Sequence, residues 1–362
     1  MRLCFLAAAN SIHSYRWVKY FAQHGHEVAW ISLTQSIFEP IHGVQYAEYP
    51  VSASPWSLFR VGWKIKQWIR SWQPDILHAH YVGTYGLVGM LSGFHPVVMT
   101  AWGSDVLLGR KSLIKKPFVT RSLKTADLVT CDADHMREAM TELGVDPGKI
   151  RVVYFGIDTK QFAPRDKSVE IRTRLELHDA PTIISLRNLE PVYDIETLIE
   201  TVPLVAKQVP EARFVIVGRG SQEQSLKQLA DRLGVCEYIR FVGFVPNREL
   251  PLYLASMDVY VSTSLSDAGI AASTAEAMAC GIPVVVTDTG ENSKWITDGD
   301  TGFIVPSRSA IQLAEKIVRL LKDSEWRVNV GARGRAVIQT RNDYETEMSK
   351  MNTLYAELVT RG

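Results

Sequence analysis

Short apolar segments alternate with segments of helical length along the whole chain, and this alternation is the feature that most constrains the fold. In the first half the apolar segments include LCFLAAA, EVAWISL, DILHAHY, PVVMTAW and DLVTCD. Apolar strands joined by crossover helices predict a parallel sheet that is covered on both faces. The pattern starts again with PTIISLRN, RFVIVGRG, DVYVSTS and IPVVVTD. The sequence therefore predicts an α/β protein with two doubly wound, Rossmann-like domains.

The predicted boundary between the domains lies in a polar stretch that contains Pro164. We assign 1–165 to a first domain and 166–342 to a second. The last segment, about 343–362, has apolar residues at helical spacing and predicts a helix that returns to the first domain. Ligands of doubly wound sheets bind beyond the carboxyl ends of the strands. Two such domains therefore predict a central cleft lined by the residues that follow each strand.

Charge is divided unevenly between the two halves of the chain. Residues 1–165 contain 18 Lys and Arg and 12 Asp and Glu, a net charge of +6, and the remainder contains 22 and 27, a net charge of −5. A basic half predicts an anionic partner. The segments 56–72 and 110–124 combine basic with aromatic or apolar residues, which suits contact with an anionic membrane. A solvated face over a core helix is the alternative, and nucleic acid is disfavoured because a basic-aromatic motif is absent.

The four cysteines form no C-x-x-C pair, so reduced thiols are expected rather than disulfides or a zinc site. No apolar run approaches the roughly 20 residues that span a bilayer. The start, MRLCFLAAAN, lacks the full apolar core and cleavage site of a signal peptide. These features predict a cytoplasmic protein, at the inner face of the membrane if the basic segments contact lipid. His78 and His80 share a strand face, but further ligands at metal-binding spacing are lacking nearby, so no metal or other cofactor is predicted.

Candidate binding residues of the first domain follow three predicted strands. Asn10 and His13 lie at the start of the first helix. His80 ends the strand DILHAHY and is a candidate catalytic or substrate-binding histidine, with a structural histidine as the alternative. Trp102 and Asp105 follow PVVMTAW. Asp105 is placed either to accept hydrogen bonds from a hydroxyl-rich substrate or to cap the next helix.

The second domain places one cation and two acids at its strand ends. Arg187 follows the first strand, and its planar guanidinium suits a diphosphate; a salt bridge to Glu190 or Asp194 is the alternative. Asp267 precedes a turn of small residues, and Glu276 lies in the first turns of the helix that follows. A helix N-terminus favours phosphate, and a Glu carboxylate can accept two hydrogen bonds from a ribose diol. The remaining substrate-binding candidates belong to the same strand ends: Gly218, Phe244, Val245, Gly269, Ile270, Ala271 and Ser273.

These segments resemble those of the retaining glycosyltransferases of family 4, which have the GT-B fold. STSLSDAGIAASTAEAMACGIPVVV resembles the E-x7-E segment of that family, RVVYFGIDTKQFAP resembles its interdomain linker, and HAHY, WGSD and GHEV resemble marks of its first domain. The resemblance covers nearly the whole chain. It implies transfer of a sugar from a nucleotide donor, UDP more often than GDP, to an acceptor hydroxyl with retention of configuration and without a metal. It also implies that Glu276 binds the ribose and Arg187 the phosphates, and we predict an acceptor on a lipid-linked or cell-surface glycan precursor.

Three positions depart from the family pattern. Ala268 occupies the place of the first Glu of E-x7-E, and Asp267 lies one residue before it. Tyr193 stands near the place of a phosphate-binding Lys, and Trp102 where many members have a His. We therefore assign the sugar to Asp267 by proximity, and the phosphate charge to Arg187 and helix N-termini. A sugar phosphorylase, a nucleotide-sugar epimerase and a non-catalytic sugar-nucleotide sensor remain the alternatives.

Overall fold

The structure is a computed structural model that describes residues 1–51, 55–267 and 269–361. It divides into two compact units, Met1–Phe155 with Glu345–Gly362, and Gly156–Tyr344. Each unit has a parallel sheet with helices, so the predicted α/β class and doubly wound topology are confirmed. Among the described helices, none is both long and apolar enough to cross a bilayer.

The first unit is built on a parallel sheet of seven strands in the order β3-β2-β1-β4-β5-β6-β7. Its strands are β1 Arg2–Leu6, β2 Glu27–Ser32, β3 Val44–Glu48, β4 Ile76–His80, β5 Val97–Ala101, β6 Leu128–Cys131 and β7 Ile150–Val152. Its first helices are α1 Ile12–Gln23, α2 Pro55–Trp72, α3 Thr84–Ser92, α4 Ser104–Leu107, α5 Lys116–Thr125 and α6 Asp134–Glu142. The switch in strand order lies between β1 and β4, where a doubly wound sheet opens to ligands.

The second unit repeats this topology with six strands in the order β10-β9-β8-β11-β12-β13. Its strands are β8 Thr182–Ser185, β9 Arg213–Val217, β10 Ile239–Gly243, β11 Val259–Ser262, β12 Val284–Thr287 and β13 Phe303–Val305. Its helices are α7 Val169–Arg174, α8 Ile195–Ala206, α9 Glu223–Arg232, α10 Leu250–Ala255, α11 Ala272–Ala279, α12 Asn292–Trp295, α13 Ala310–Lys322 and α14 Ser324–Arg341. The last helix of the chain is α15 Tyr344–Arg361.

Both faces of the first sheet are covered, as its apolar strands predict. On one face Leu6 and Met99 share a buried cluster with Ile65 of α2. On the other face Phe21 of α1 stacks on Phe5 of β1 at 5.8 Å between ring centroids. Strand side chains alternate between the two faces, so residues two apart along each strand join the same layer.

The predicted return of the C-terminal helix to the first domain is confirmed, because α15 packs on the first sheet. The hydroxyl of Tyr355 lies 2.5 Å from Nδ1 of His78 in β4. Nε2 of the same ring lies 2.6 Å from the Thr100 hydroxyl of β5. Both ring nitrogens of His78 are therefore engaged in hydrogen bonds that tie β4 to β5 and α15, and neither is placed as a metal ligand.

The chain passes from the first unit to the second between Phe155 and Gly156, earlier than the predicted boundary at 165. Backbone pairing explains the position, because the linker is bound to the end of the second unit. The N–H of Ile157 donates to the carbonyl of Asn342 at 2.8 Å, and the N–H of Tyr344 donates to the carbonyl of Ile157 at 2.9 Å. The polar composition of 160–180 marks exposed chain rather than the change of unit.

Helix α11 is positioned by close packing on α14. A Cβ at Gly331, in the interior of α14, would overlap the carbonyl oxygen of Gly281, just past the end of α11. Glycine at this position lets the two backbones touch. The approach of α14 thus fixes the helix that carries Glu276.

We expect Gly331→Ala to lower the free energy of unfolding by about 1–3 kcal/mol, because the added methyl overpacks this contact. Helix propensity alone predicts the opposite sign, since alanine favours helix over glycine by about 1 kcal/mol. Gly62→Ala in α2 is the matched control, because no described atom lies within 4 Å of a Cβ built there. Thermal and urea unfolding of both variants check the prediction, which a stabilised Gly331→Ala protein would contradict.

Candidate active site

A buried ion pair lies at the carboxyl ends of β8 and β11 in the second unit. Nη2 of Arg187 is 2.5 Å from Oδ1 of Asp267, and the two side chains are 9% and 12% exposed. The guanidinium carbon of Arg187 lies 4.3 Å from the ring centroid of Tyr193. The predicted alternative partners of Arg187 are therefore wrong: Asp194 accepts from the Thr197 hydroxyl instead. The residues predicted for phosphate and for sugar are in direct contact.

The pairing leaves part of the guanidinium unused. Nη1 of Arg187 reaches the Ser273 hydroxyl only at 3.5 Å. Nε of Arg187 is buried and has no hydrogen-bond partner among the described residues. An arginine can donate five N–H bonds in a fixed plane, so this side chain retains donors for an anionic ligand. The ring of Tyr193, which lies near the place of the lysine expected from the resemblance, supports the guanidinium by a cation–π contact.

The N-terminus of α11 adjoins this ion pair and has no side-chain cap. The N-cap residue is Ala271, which makes no capping hydrogen bond. The N–H groups of the first helical turn have no partners within the helix. Ser273 in that turn is bonded to the phenol of Tyr260 at 2.8 Å. The helix starts one residue before the predicted Ser273, and its N-terminal donors lie beside Arg187, a combination that favours phosphate.

Tyr260 contacts the candidate site and was not singled out by the sequence. It is fully buried in β11, where its phenol also lies 3.4 Å from the Thr274 hydroxyl. Burial raises the pKa of Tyr260, so the phenol stays neutral and can share hydrogen bonds with the first turn of α11. A tyrosine in an apolar strand carries no sequence signal for this role, because it looks like any core aromatic residue.

Glu276 lies further along α11 and is also buried. Its Oε1 is 3.5 Å from Nδ2 of Asn247, which follows β10. A buried carboxylate needs hydrogen-bond donors, since its desolvation is unfavourable. The amide of Asn247 and a ligand diol can supply such donors, and the second is the predicted ribose.

The remaining candidates of the second unit differ in their exposure and backbone contacts. The N–H of Gly218 donates to the carbonyl of Gly243 at 2.8 Å, and a Cβ at Gly218 would overlap the carbonyl oxygen of Arg187. Gly218 therefore allows the loop after β9 to approach the arginine backbone. The ring of Phe244 is 69% exposed, whereas three other candidate positions are buried: Val245, Gly269 and Ile270.

In the first unit, three of the predicted residues form one cluster of rings. His13 stacks on Trp102 at 5.2 Å between centroids, with 27° between the ring planes. The ring centroid of His80 lies 5.6 Å from that of Trp102 and 4.9 Å from that of Trp17. Many family members have a histidine at the position of Trp102. In this chain Trp102 instead provides an aromatic ring on which His13 stacks.

Both histidines of this cluster are neutral near pH 7. Burial is the main cause in each case and lowers the pKa of His13 to about 4 and that of His80 to about 3. The ring nitrogens of His80 are buried and have no hydrogen-bond partner among the described residues. The ring can therefore accept or donate one hydrogen bond without becoming charged.

Asp105 and Asn10 have less direct roles. Asp105 is buried, and its carboxylate accepts from the backbone N–H of Val82 at 2.8 Å and of Trp102 at 3.1 Å. It also accepts from Val106 at the start of α4. The N-cap of α4 is Gly103, without a side-chain cap bond, so Asp105 does not cap the helix; its carboxylate instead links the ends of β4 and β5. Asn10 is exposed and accepts from the Thr34 hydroxyl at 3.3 Å.

Two family profiles match the chain. One, described as glycosyl transferases group 1, matches residues 167–337. The other, described as glycosyl transferase 4-like, matches residues 2–133. The two profiles together cover most of both units.

Several characterised proteins are similar to the chain. The GDP-mannose-dependent alpha-(1-6)-phosphatidylinositol monomannoside mannosyltransferase of Mycolicibacterium smegmatis is 30% identical over 258 residues, which are 69% of this chain and 67% of the relative. The Mycobacterium tuberculosis protein of the same name is 28% identical over 232 residues, and the match spans 62% of this chain and 60% of that relative. The crystal structure of Anabaena Alr3699/HepE in complex with UDP-glucose is 19% identical, with a TM-score of 0.83 over 99% of this chain and 100% of that chain.

The last of these similarities supports the fold alone, while the profiles and the mycobacterial relatives support the family. The chain therefore belongs to the group 1 glycosyltransferases of family 4 and has the GT-B fold.

Proposed function

We propose that the protein transfers a sugar from a nucleotide-sugar donor to an acceptor hydroxyl with retention of configuration. The observation that carries the proposal is the buried Arg187, which is held by Asp267 beside the uncapped N-terminus of α11. The charge that develops when a nucleotide sugar loses its sugar resides on the diphosphate. Fixed donors aimed at that position stabilise the transition state more than the ground state.

The successive parts of the donor would bind different candidate residues of the second unit. Glu276 would accept from the ribose hydroxyls, Arg187 and the first turn of α11 would hold the diphosphate, and Asp267 would accept from the hydroxyls of the sugar. The exposed ring of Phe244 is suited to cover a planar base. The sequence predicts UDP as the carrier, whereas the mycobacterial relatives are named as GDP-mannose-dependent.

Retention follows from the chemistry that remains when no side chain attacks the sugar. Asp267 is paired with a guanidinium, which lowers the nucleophilicity of its carboxylate. The leaving diphosphate would take the proton of the incoming hydroxyl on the same face of the sugar. Arg187 and the helix N-terminus would supply the positive charge that a divalent metal provides elsewhere, in keeping with the prediction that no cofactor is needed.

The acceptor would be held by the first unit. The neutral rings of His13, His80 and Trp102 offer stacking surface and one uncharged hydrogen-bonding group, which suits a sugar or polyol. We propose a lipid-linked acceptor, because the relatives are named for phosphatidylinositol mannoside acceptors. Such an acceptor would place the protein at the cytoplasmic face of the membrane, in contact through 56–72 and 110–124.

A panel of UDP- and GDP-sugars tests the proposal against its alternatives. We expect hydrolysis or transfer that releases a nucleoside diphosphate, with the sugar product keeping its anomeric configuration by NMR. A phosphorylase would instead form a sugar phosphate from free phosphate, and an epimerase would return an altered nucleotide sugar. Tight binding without turnover of any sugar would favour the sensor.

We expect Arg187→Ala to lower kcat/KM by about a hundredfold to a thousandfold, the loss typical of one transition-state donor. Arg187→Lys should restore only part of the activity, because an ammonium lacks the planar fork. Arg232→Ala, on an exposed arginine of α9, is the matched control. Since Arg187→Ala leaves Asp267 unpaired, the double variant with Asp267→Asn tests whether any loss comes from instability. Wild-type turnover by Arg187→Ala would overturn the proposal.

We expect Asp267→Asn to bind a nucleoside diphosphate about fivefold more tightly. The substitution removes a negative charge beside the phosphate site, and its repulsion of the phosphate is about 1 kcal/mol. Transfer should slow by about tenfold, since an amide accepts fewer hydrogen bonds from the sugar. Calorimetry at low and high salt, with steady-state rates, measures both effects. Weaker binding of the diphosphate would show that Asp267 orients Arg187 rather than competing for it.

We expect Glu276→Ala to weaken binding of UDP or GDP by about tenfold or more, the loss for a hydrogen bond to a charged group. Inorganic diphosphate has no ribose and provides the matched ligand, so its affinity should not change. Calorimetry with both ligands separates the ribose contact from damage to α11. Equal loss for the two ligands would contradict the ribose role.

A further inference from the structure

An exposed arginine follows β9 of the second unit and is not used by the site described above. Arg219 is exposed, and its guanidinium forms no hydrogen bond or ion pair with any residue that the structure describes. The acid closest to it in sequence is Glu223 at the start of α9, and that carboxylate is paired with Lys227 at 2.7 Å. The donors of the Arg219 guanidinium are therefore available to a ligand.

The backbone of Arg219 is held against the segment that carries Arg187. The carbonyl of Arg219 accepts from the N–H of Leu189 at 3.0 Å. A Cβ at Gly220 would overlap the carbonyl oxygen of Leu189, so glycine at this position lets the two segments touch. Because Leu189 follows Arg187 by two residues, these contacts fix the backbone of Arg219 near the candidate phosphate site.

The side chain of Arg219 lies beside the segment that follows β10. A Cβ at Gly243 would lie 3.7 Å from Nε of Arg219. The next residue is Phe244, whose ring is 69% exposed. Three residues further on, Asn247 contacts the carboxylate of Glu276 at 3.5 Å. The segment therefore leads from the guanidinium, past an exposed ring, to the candidate ribose site.

The covalent order of a nucleotide places its base at this end of the segment. In a nucleoside diphosphate the ribose joins the base on one side to the diphosphate on the other. With the diphosphate at Arg187 and the ribose at Glu276, the base would lie toward Phe244 and Arg219. The phenyl ring of Phe244 suits the face of a planar base, and the guanidinium of Arg219 suits its edge, since it presents paired N–H donors in one plane.

We propose that Arg219 reads the base of the donor and selects guanine. Guanine has two acceptors, O6 and N7, side by side on one edge, and a guanidinium can bond to both at once. On the same edge uracil, like thymine, offers a single carbonyl, and adenine has a donor beside N7. The favoured carrier is then GDP rather than the UDP that the family resemblance implies. The inference rests on the proposed function, because it names the base of the same donor.

Calorimetry of the full chain with GDP and UDP tests the selection without requiring turnover. We expect the wild type to bind GDP about tenfold or more tightly than UDP, and Arg219→Ala to lose that preference through weaker binding of GDP alone. Arg219→Lys should keep the charge but not the preference, because an ammonium lacks the planar fork. The matched control is Arg232→Ala on the exposed side of α9, which should bind both ligands as the wild type does.

A change in the ligand tests the same contact from the other side. In 7-deaza-GDP a carbon replaces N7, so the base edge keeps O6 and loses the second acceptor. The wild type should bind this ligand about fivefold or more weakly than GDP, whereas Arg219→Ala should bind the two equally. IDP keeps both O6 and N7 and should therefore behave as GDP does with either protein.

The outcomes separate the reading of the base from the proposed function. A wild type that binds UDP as tightly as GDP would overturn the selection of guanine. Equal losses of GDP and UDP in Arg219→Ala, with 7-deaza-GDP bound like GDP, would show that Arg219 contacts the phosphates and would also overturn it. A wild type that binds no nucleoside diphosphate would contradict the proposed function itself, and this inference with it.

Discussion

The ion pair of Arg187 and Asp267 is the interaction on which the candidate site depends. A buried guanidinium is unfavourable by several kcal/mol unless a carboxylate and further contacts offset its desolvation. Asp267 and the ring of Tyr193 provide that compensation here. The pair joins the chain after β8 to the chain after β11, and Arg187 also approaches Ser273 in the first turn of α11. These groups form the candidate site for a diphosphate.

The strand ends of the first unit carry neutral rings instead of an ion pair. His13, His80 and Trp102 form a cluster of neutral rings, because burial keeps both imidazoles uncharged. Asp105, the acid nearest to them in sequence, is occupied by backbone N–H groups. One unit therefore offers fixed charge, which suits phosphate, and the other offers stacking surface, which suits a sugar.

The outer surface of the first unit adds a third kind of chemistry. The basic charge that gives the first half its net positive value is concentrated on α2, α5 and the segment 108–118. Helices α2 and α5 bury one apolar face in the core, and this packing leaves the cations and Trp63 on the outside. The segment 108–118 departs from this rule, since Leu113 and Ile114 are exposed there.

The sequence by itself determined the architecture and supplied most of the candidate site residues. Alternation of apolar strands and helices is a local property, so two doubly wound sheets and a returning C-terminal helix could be predicted. Arg187 and Glu276 were predicted as site residues because strand ends and helix starts are marked by local residue types. Only the tertiary structure decided the partner of Arg187, which lies 80 positions away along the chain. It also showed that Asp105 binds backbone N–H groups, that the change of unit falls at Phe155 and that Tyr260 contacts Ser273. These outcomes depend on which groups packing buries together, and the free energy of a buried polar group is set by those neighbours rather than by its place in the sequence.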